Sequence, residues 1–103
     1  MADVPRFDDT TRDFLKALAS ETRQSMLLLF IGGAELSVGE IADKAGLSQS
    51  TASAHLTLMR RGGILESRRE GKVVYYRVDA SQVSDKLDEI KAYLNCCCPP
   101  ADQ

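Results

Sequence analysis

Residues 36–78 read LSVGEIADKAGLSQSTASAHLTLMRRGGILESRREGKVVYYRV, and a change of period inside that stretch decides the fold. Ser37 followed three residues later by Glu40 has the spacing of a capping box, with Leu36 and Ile41 placed to make a hydrophobic staple around it. A short helix begins there and stops at Gly46. Ser48 can cap the next helix, QSTASAHLTLMRR, which ends at Gly62–Gly63. Two short helices joined by a tight glycine-containing turn make a helix-turn-helix. Past Gly63, ILESRR and KVVYYRV are β-branched and aromatic, are separated by Glu70–Gly71, and predict a β-hairpin. A helix-turn-helix followed at once by a basic-tipped hairpin is a winged helix.

Working outward, Phe7, Phe14, Leu15 and Leu18 recur at helical spacing and predict a first helix from about Asp8 to Ala19. Ser20 can cap a second, ETRQSMLLLFI, whose unbroken apolar run implies burial on most sides and which Gly32–Gly33 ends. Near the other end Val83, Leu87, Ile90 and Leu94 fall at i, i+4, i+7 and i+11. That heptad-like stripe suits pairing with another helix, although such a stripe can also cover its own core. The expectation is one domain, mainly α with a small β-hairpin: a winged helix-turn-helix of four helices, the hairpin and a fifth helix. Residues 7–19 and 80–95 are the expected dimerisation helices, with Phe14, Leu18, Val83, Leu87, Ile90 and Leu94 at a homodimer interface. Residues 37–78 are the expected DNA-binding part and residues 96–103 a cysteine-containing tail.

The formal net charge of −2 hides a partition. Residues 1–45 carry −3 and residues 79–103 carry −3, while residues 46–78 carry +4 from Arg60, Arg61, Arg68, Arg69, Lys72 and Arg77 against two acids. One positive segment between two negative ones is the pattern of a localised phosphate-binding surface. The longest apolar run, Met26–Ile31, is too short to cross a bilayer, and the acidic, polar first residues do not read as a signal peptide. With unpaired-looking cysteines, the expected location is a reducing cytoplasm. No serine or cysteine has a visible base and orienting third group, so no enzymatic activity is expected.

Spacing sorts the faces of the second short helix. Ala52, Leu56 and Met59 pack inward with His55 at their edge; Gln49, Ser50, Ser53, Ala54, Thr57 and Arg61 lie on the other side. That slim polar face can enter a major groove, where Gln49 can pair with adenine edges and Ser50 and Ser53 can reach bases or phosphates. Arg60 and Arg61 at the helix end, with Arg68, Arg69 and Lys72 around the wing, are expected to contact phosphate and the minor groove.

LSVGEIADKAGLSQSTASAHLTLMRRGGILESRREGKVVYYRVD resembles the DNA-binding half of the ArsR/SmtB family of metal- and metalloid-responsive repressors, and FLKALASETR matches that family's opening. The resemblance spans roughly residues 12–95. It implies a homodimer joined through its first and last helices, bound to a near-palindromic operator and leaving it when an inducer binds. It also implies groove contacts by Gln49, Ser50, Ser53 and Ala54, the face that spacing selects.

Departures from the family pattern narrow the inducer. Where one class of its arsenic sensors carries Cys-x-Cys, this chain has Ser37 and Gly39, and Ser37 has a sufficient task as a cap. Zinc-type members place Asp and His on the last helix, which here has no histidine. His55, the sole imidazole, has no metal-ligating neighbours and is expected to order the recognition helix or touch the DNA backbone. That leaves Cys96, Cys97 and Cys98, whose thiolates suit a soft ion such as arsenite or antimonite. Adjacent helical positions diverge by about 100°, so convergence requires the helix to stop, and Pro99 pushes Cys98 out of helical conformation. Some arsenic sensors of the family use cysteines at the end of the last helix. No cofactor is needed for the fold.

The leading expectation is a sequence-specific DNA-binding repressor released by a thiophilic metal or metalloid. An alternative is a DNA-binding regulator without its own inducer site, controlled by a regulatory partner protein or by thiol oxidation. Use of the winged helix for protein contacts alone, or as a thiol metal carrier, sits poorly with the +4 segment and the slim helix face.

Overall fold

The computed structural model describes residues 7–97, with side chains through Cys96. Its elements are helices α1 (Asp9–Leu18) and α2 (Glu21–Leu28), strand β1 (Leu36–Ser37), helices α3 (Val38–Ala45) and α4 (Gln49–Arg61), strands β2 (Leu65–Glu70) and β3 (Val73–Val78), and helix α5 (Ala80–Cys97).

Each of the first four helices starts on a side-chain cap. Asp8, Ser20, Ser37 and Ser48 accept from the backbone N–H three residues on, and Ser37 and Glu40 complete the reciprocal capping box. Gly46 ends α3 at φ +70, a conformation that costs an L side chain about 1–2 kcal/mol. The inward face of α4 is Ala52, Leu56 and Met59, all essentially inaccessible, packed with Phe14, Met26, Phe30, Ile41 and Ile64 in one core.

Helix α1 lies on the end of α4 so closely that a Cβ at Gly62 would stand 2.8 Å from both N and Cα of Phe14. Helix α5 is tied to α1 by a polar cluster. Lys86 Nζ, nearly buried, donates to Thr11 Oγ1 at 3.0 Å and lies 3.5 Å from Glu89 and 3.7 Å from Asp8, while the Thr11 hydroxyl donates to Glu89 Oε1 at 2.8 Å. The Phe7 and Tyr93 rings meet 4.8 Å apart beside it.

The sheet is antiparallel with strand order β1-β3-β2. The hairpin register runs from Leu65↔Val78 to Glu70↔Val73, so its two-residue loop is Gly71–Lys72 rather than Glu70–Gly71. Gly71 takes the positive φ of +62 that such a tight loop requires, and Lys72 moves from the strand to the tip. The two-residue strand β1, absent from the sequence-based expectation, pairs with β3 through Leu36↔Tyr76 and Ser37↔Tyr75.

Three further expectations are corrected. The second helix ends at Leu28 and the chain turns through to Gly33, with Met26 and Phe30 buried while Leu28 and Ile31 stand 65% and 75% exposed. One face of that apolar run serves the core; the other does not. Phe14 is 1% exposed: its ring fills the core of its own subunit and only floors the apolar groove beside Leu18, Val83 and Leu87, so it offers a second subunit almost no surface of its own. Finally, α5 continues through Cys97, so Cys96 and Cys97 are helical positions rather than part of a tail. The helix runs without interruption through Cys97, and the restriction a proline places on its neighbour falls on residue 98 rather than on Cys96 or Cys97. Cys98 lies outside the described residues.

Candidate nucleic-acid interface

Two N-capped helices and the hairpin tip converge on one opening. Ser37, Val38 and Gly39 at the start of α3, Gln49, Ser50 and Ser53 on α4, and Lys72, Val73 and Val74 of the wing line a cleft of about 540 Å³. Gln49 and Ser53 thus face the same space as Lys72. Gly39 leaves room for the Gln49 amide: a Cβ at residue 39 would lie 3.4 Å from Gln49 Nε2. Ser50, Ser53 and Ala54 are exposed, as their spacing predicts. Thr57 is half-buried, and its hydroxyl donates to the Ser53 carbonyl at 2.8 Å, which commits its proton to the helix.

The cations separate into engaged and available. Among the described residues, Arg60, Arg69 and Lys72 have no carboxylate at ion-pair distance. Arg60 and Arg69 line a second, smaller cleft with Ser67, Arg68, Val74 and Tyr76, beside the end of α4. Arg61 lies 3.9 Å from Asp13, a loose exposed pair that solvent largely screens. Arg68 instead donates from Nε and Nη2 to the two oxygens of Glu35, each at 2.8 Å. These bonds hold the Glu35 carboxyl below its usual range and raise the guanidinium in turn.

His55 has a structural partner that sequence spacing does not reveal. Arg23 Nη1 lies 3.0 Å from His55 Nδ1, and because a guanidinium offers only donors, Nδ1 is the acceptor. The same arginine donates to the carbonyls of Lys16 at 3.0 Å and Ala17 at 3.1 Å, closing the end of α1. One side chain therefore joins α1, α2 and the recognition helix. Arg23 and Glu35 were both missed from sequence, since each acts on a residue more than thirty positions away.

Among the described residues no three His, Cys, Asp or Glu side chains come together as a metal site, and Cys96 is exposed. No helix among them is long and apolar enough to cross a membrane. Leu18, Val83, Leu87, Leu28 and Ile31 line an open apolar groove of about 560 Å³ between α1, the end of α2 and α5. Leu94 is about half exposed farther along α5, and Ile90 is partly buried against the core.

A family profile described as a helix-turn-helix domain matches residues 8–68. The transcriptional activator HlyU of Vibrio cholerae is 38% identical over 74 residues, covering 72% of this chain and 68% of that protein. A probable mercury resistance operon repressor of Streptomyces lividans is 35% identical over 104 residues, covering 93% of this chain and 82% of that one. Among solved structures, the homodimeric winged helix-turn-helix DNA-binding domain of a possible ArsR-family regulator from Mycobacterium bovis superposes with a TM-score of 0.66 at 32% identity, covering 91% and 92% of the two chains. The homologues and the fold are those of DNA-binding regulators and not of enzymes, and with the matched profile they establish that the chain belongs to the ArsR family of winged helix-turn-helix transcriptional regulators.

Proposed function

We propose that two copies of this chain bind an operator as a homodimeric repressor, with Gln49, Ser50, Ser53 and Ala54 in the major groove and Arg60, Arg61, Arg69 and Lys72 on phosphate. The observation that carries this reading is the shared cleft, which has the polar face of α4 and the wing tip on one side of the molecule, with Lys72 and Arg69 free of carboxylates among the described residues. The dimer forms through Leu18, Val83, Leu87, Ile90 and Leu94, extended by Leu28 and Ile31 along the same groove; the homodimeric Mycobacterium bovis relative supports this. Its location is the cytoplasm.

The test is selection of duplexes from a random pool, followed by titration of the selected duplex and a random one across salt. Log K should fall with log salt at a slope of about −0.9 per phosphate contact. Gln49→Ala and Ser53→Ala should each cost about 1–3 kcal/mol on the selected duplex and much less on the random one. Equal losses on both would mean that this face grips backbone only.

A soft ion is the proposed inducer. The mercury-resistance relative supports that class, as do the thiols at the end of α5. Cys96 and Cys97 at adjacent helical positions do not by themselves form a ligand set for one ion, so a site would draw on Cys98 or on thiols of a second copy. The exposure of Cys96 also suits control by thiol oxidation between subunits; control by a regulatory partner protein is the reading left if the thiols are idle. Titrating operator-bound protein with arsenite, mercuric ion or an oxidant separates these. A Cys96, Cys97 and Cys98→Ser protein that releases DNA like the wild type excludes the thiols as sensors.

A further inference from the structure

The wing has two faces with different electrostatic fates. Strand alternation and the register put Glu66, Arg68, Tyr75 and Arg77 on one face and Ser67, Arg69, Val74 and Tyr76 on the other. Tyr76 is buried, so the second face is the one turned toward the helices, and there Arg69 has no counter-ion among the described residues. On the first face both guanidinium groups are matched: Arg77 Nε lies 3.1 Å from Glu66, and Arg68 is held by Glu35.

Arg68 does more than find an acid. It starts on β2, passes over the ring of Tyr75 on the central strand β3 at 4.6 Å, and makes a two-pronged contact with Glu35 beside the far strand β1. One side chain thus spans the three-stranded sheet. Glu35 leads directly into Ser37, the cap of α3, so the clamp joins the wing to the start of the helix-turn-helix. A two-stranded ribbon is marginally stable in isolation, and a two-residue third strand adds few ladder bonds. A planar fork engaged at both prongs and stacked on an aromatic ring gives up all of these contacts to reach a phosphate.

We propose that Glu35 and Arg68 form a brace that sets the angle of the wing against the recognition helix, and that Arg68, unlike Arg69 and Lys72, makes no phosphate contact. The proposal rests on the reading above that the helix-facing side of the wing meets DNA. It revises the sequence-based assignment of Arg68 as a DNA contact.

The experiment compares Arg68→Gln, Arg68→Lys, Glu35→Gln and Arg69→Gln in full-length protein by fluorescence anisotropy on the selected and random duplexes across salt. Arg69→Gln should flatten the random-duplex slope by about 0.9 per subunit, and Arg68→Gln should leave it unchanged. Arg68→Lys, which keeps the charge and loses the fork, and Glu35→Gln should each bind the selected duplex about tenfold more weakly, while random-duplex affinity stays within about twofold. A slope flattened by Arg68→Gln as much as by Arg69→Gln overturns the proposal. So does wild-type binding of the selected duplex by both Arg68→Lys and Glu35→Gln. An unchanged slope in Arg69→Gln would instead remove the wing from DNA, and the reading beneath the proposal would fail.

Discussion

Replacing Gly62 by alanine sets two physical effects against one another. Gly62 sits at φ −79, where alanine is comfortable, so the loss of unfolded-chain freedom alone would stabilise the variant by about 0.4–1 kcal/mol. Space opposes it. The new methyl group would lie 2.8 Å from N and Cα of Phe14 and 2.9 Å from the carbonyl carbon of Asp13. These are backbone atoms of a helix whose Phe14 ring is locked in the core, so they cannot swing aside as a surface side chain would. Overpacking of this kind costs about 1–3 kcal/mol, and rigid neighbours place it toward the upper end. A net loss of about 1–2 kcal/mol follows, or roughly 5–15 °C in Tm for a domain of this size. Thermal melting by circular dichroism, at one protein concentration because the proposed dimer makes Tm concentration-dependent, measures it. Gly46→Ala is the control: φ +70 penalises any side chain by about 1–2 kcal/mol, yet no atom lies within 4 Å. A Gly62→Ala protein melting at or above the wild-type temperature would refute the close approach of α1 to α4.

Other perturbations probe the caps, the charges and the apolar groove. Ser37→Ala removes the hydroxyl that accepts from the Glu40 N–H, leaves the backbone bond from residue 37 to the Glu40 carboxylate, and should cost about 0.5–2 kcal/mol in urea denaturation. Asp8, Glu35 and Glu40 are held below their ordinary values of 3.8, 4.5 and 4.5, by the Thr11 N–H, the Arg68 fork and the Ser37 N–H respectively. Because their folded-state values are depressed, the stability they contribute is complete above those ordinary values and drains away as pH falls through the folded ones. Urea midpoints should therefore drop below about pH 4.5, less steeply in Glu40→Gln, and a flat acid limb would contradict these bonds. Leu87→Asp should sediment as a monomer and lose operator binding; a stable dimer would place the interface elsewhere.

What could be read from the sequence was local. The Ser37–Glu40 pair, Ser48 and Gly46 fix α3 and α4 within a few residues of themselves, and all lie where their chemistry predicts. Strand β1 left no trace because two residues carry no period; it exists only through Tyr75 and Tyr76, nearly forty positions away. Apolar stripes named faces without saying what covers them, so Phe14 and Leu87 looked alike although one is sealed in the core and the other half exposed. The pair Arg68–Arg69 read as doubled charge. Strand alternation was enough to send the two to opposite faces, but only the distant Glu35 reveals what becomes of Arg68. Arg23 and His55 are likewise joined by folding alone.

The contact of Phe7 with Tyr93, and of Asp8 with Lys86, brings the two ends of the described chain together. Helix-turn-helix and wing are therefore one excursion that leaves and returns to a single place. In polymer terms the described part of the chain is nearly a ring, and the position of its cut has little to do with its shape. A short linker closing that ring would add little loop entropy, and Gly32–Gly33, with no atom within 4 Å of either added Cβ, offers a place to open it again. A chain beginning at the capped helix α3 and ending at α2 would present the same recognition surface from a permuted gene.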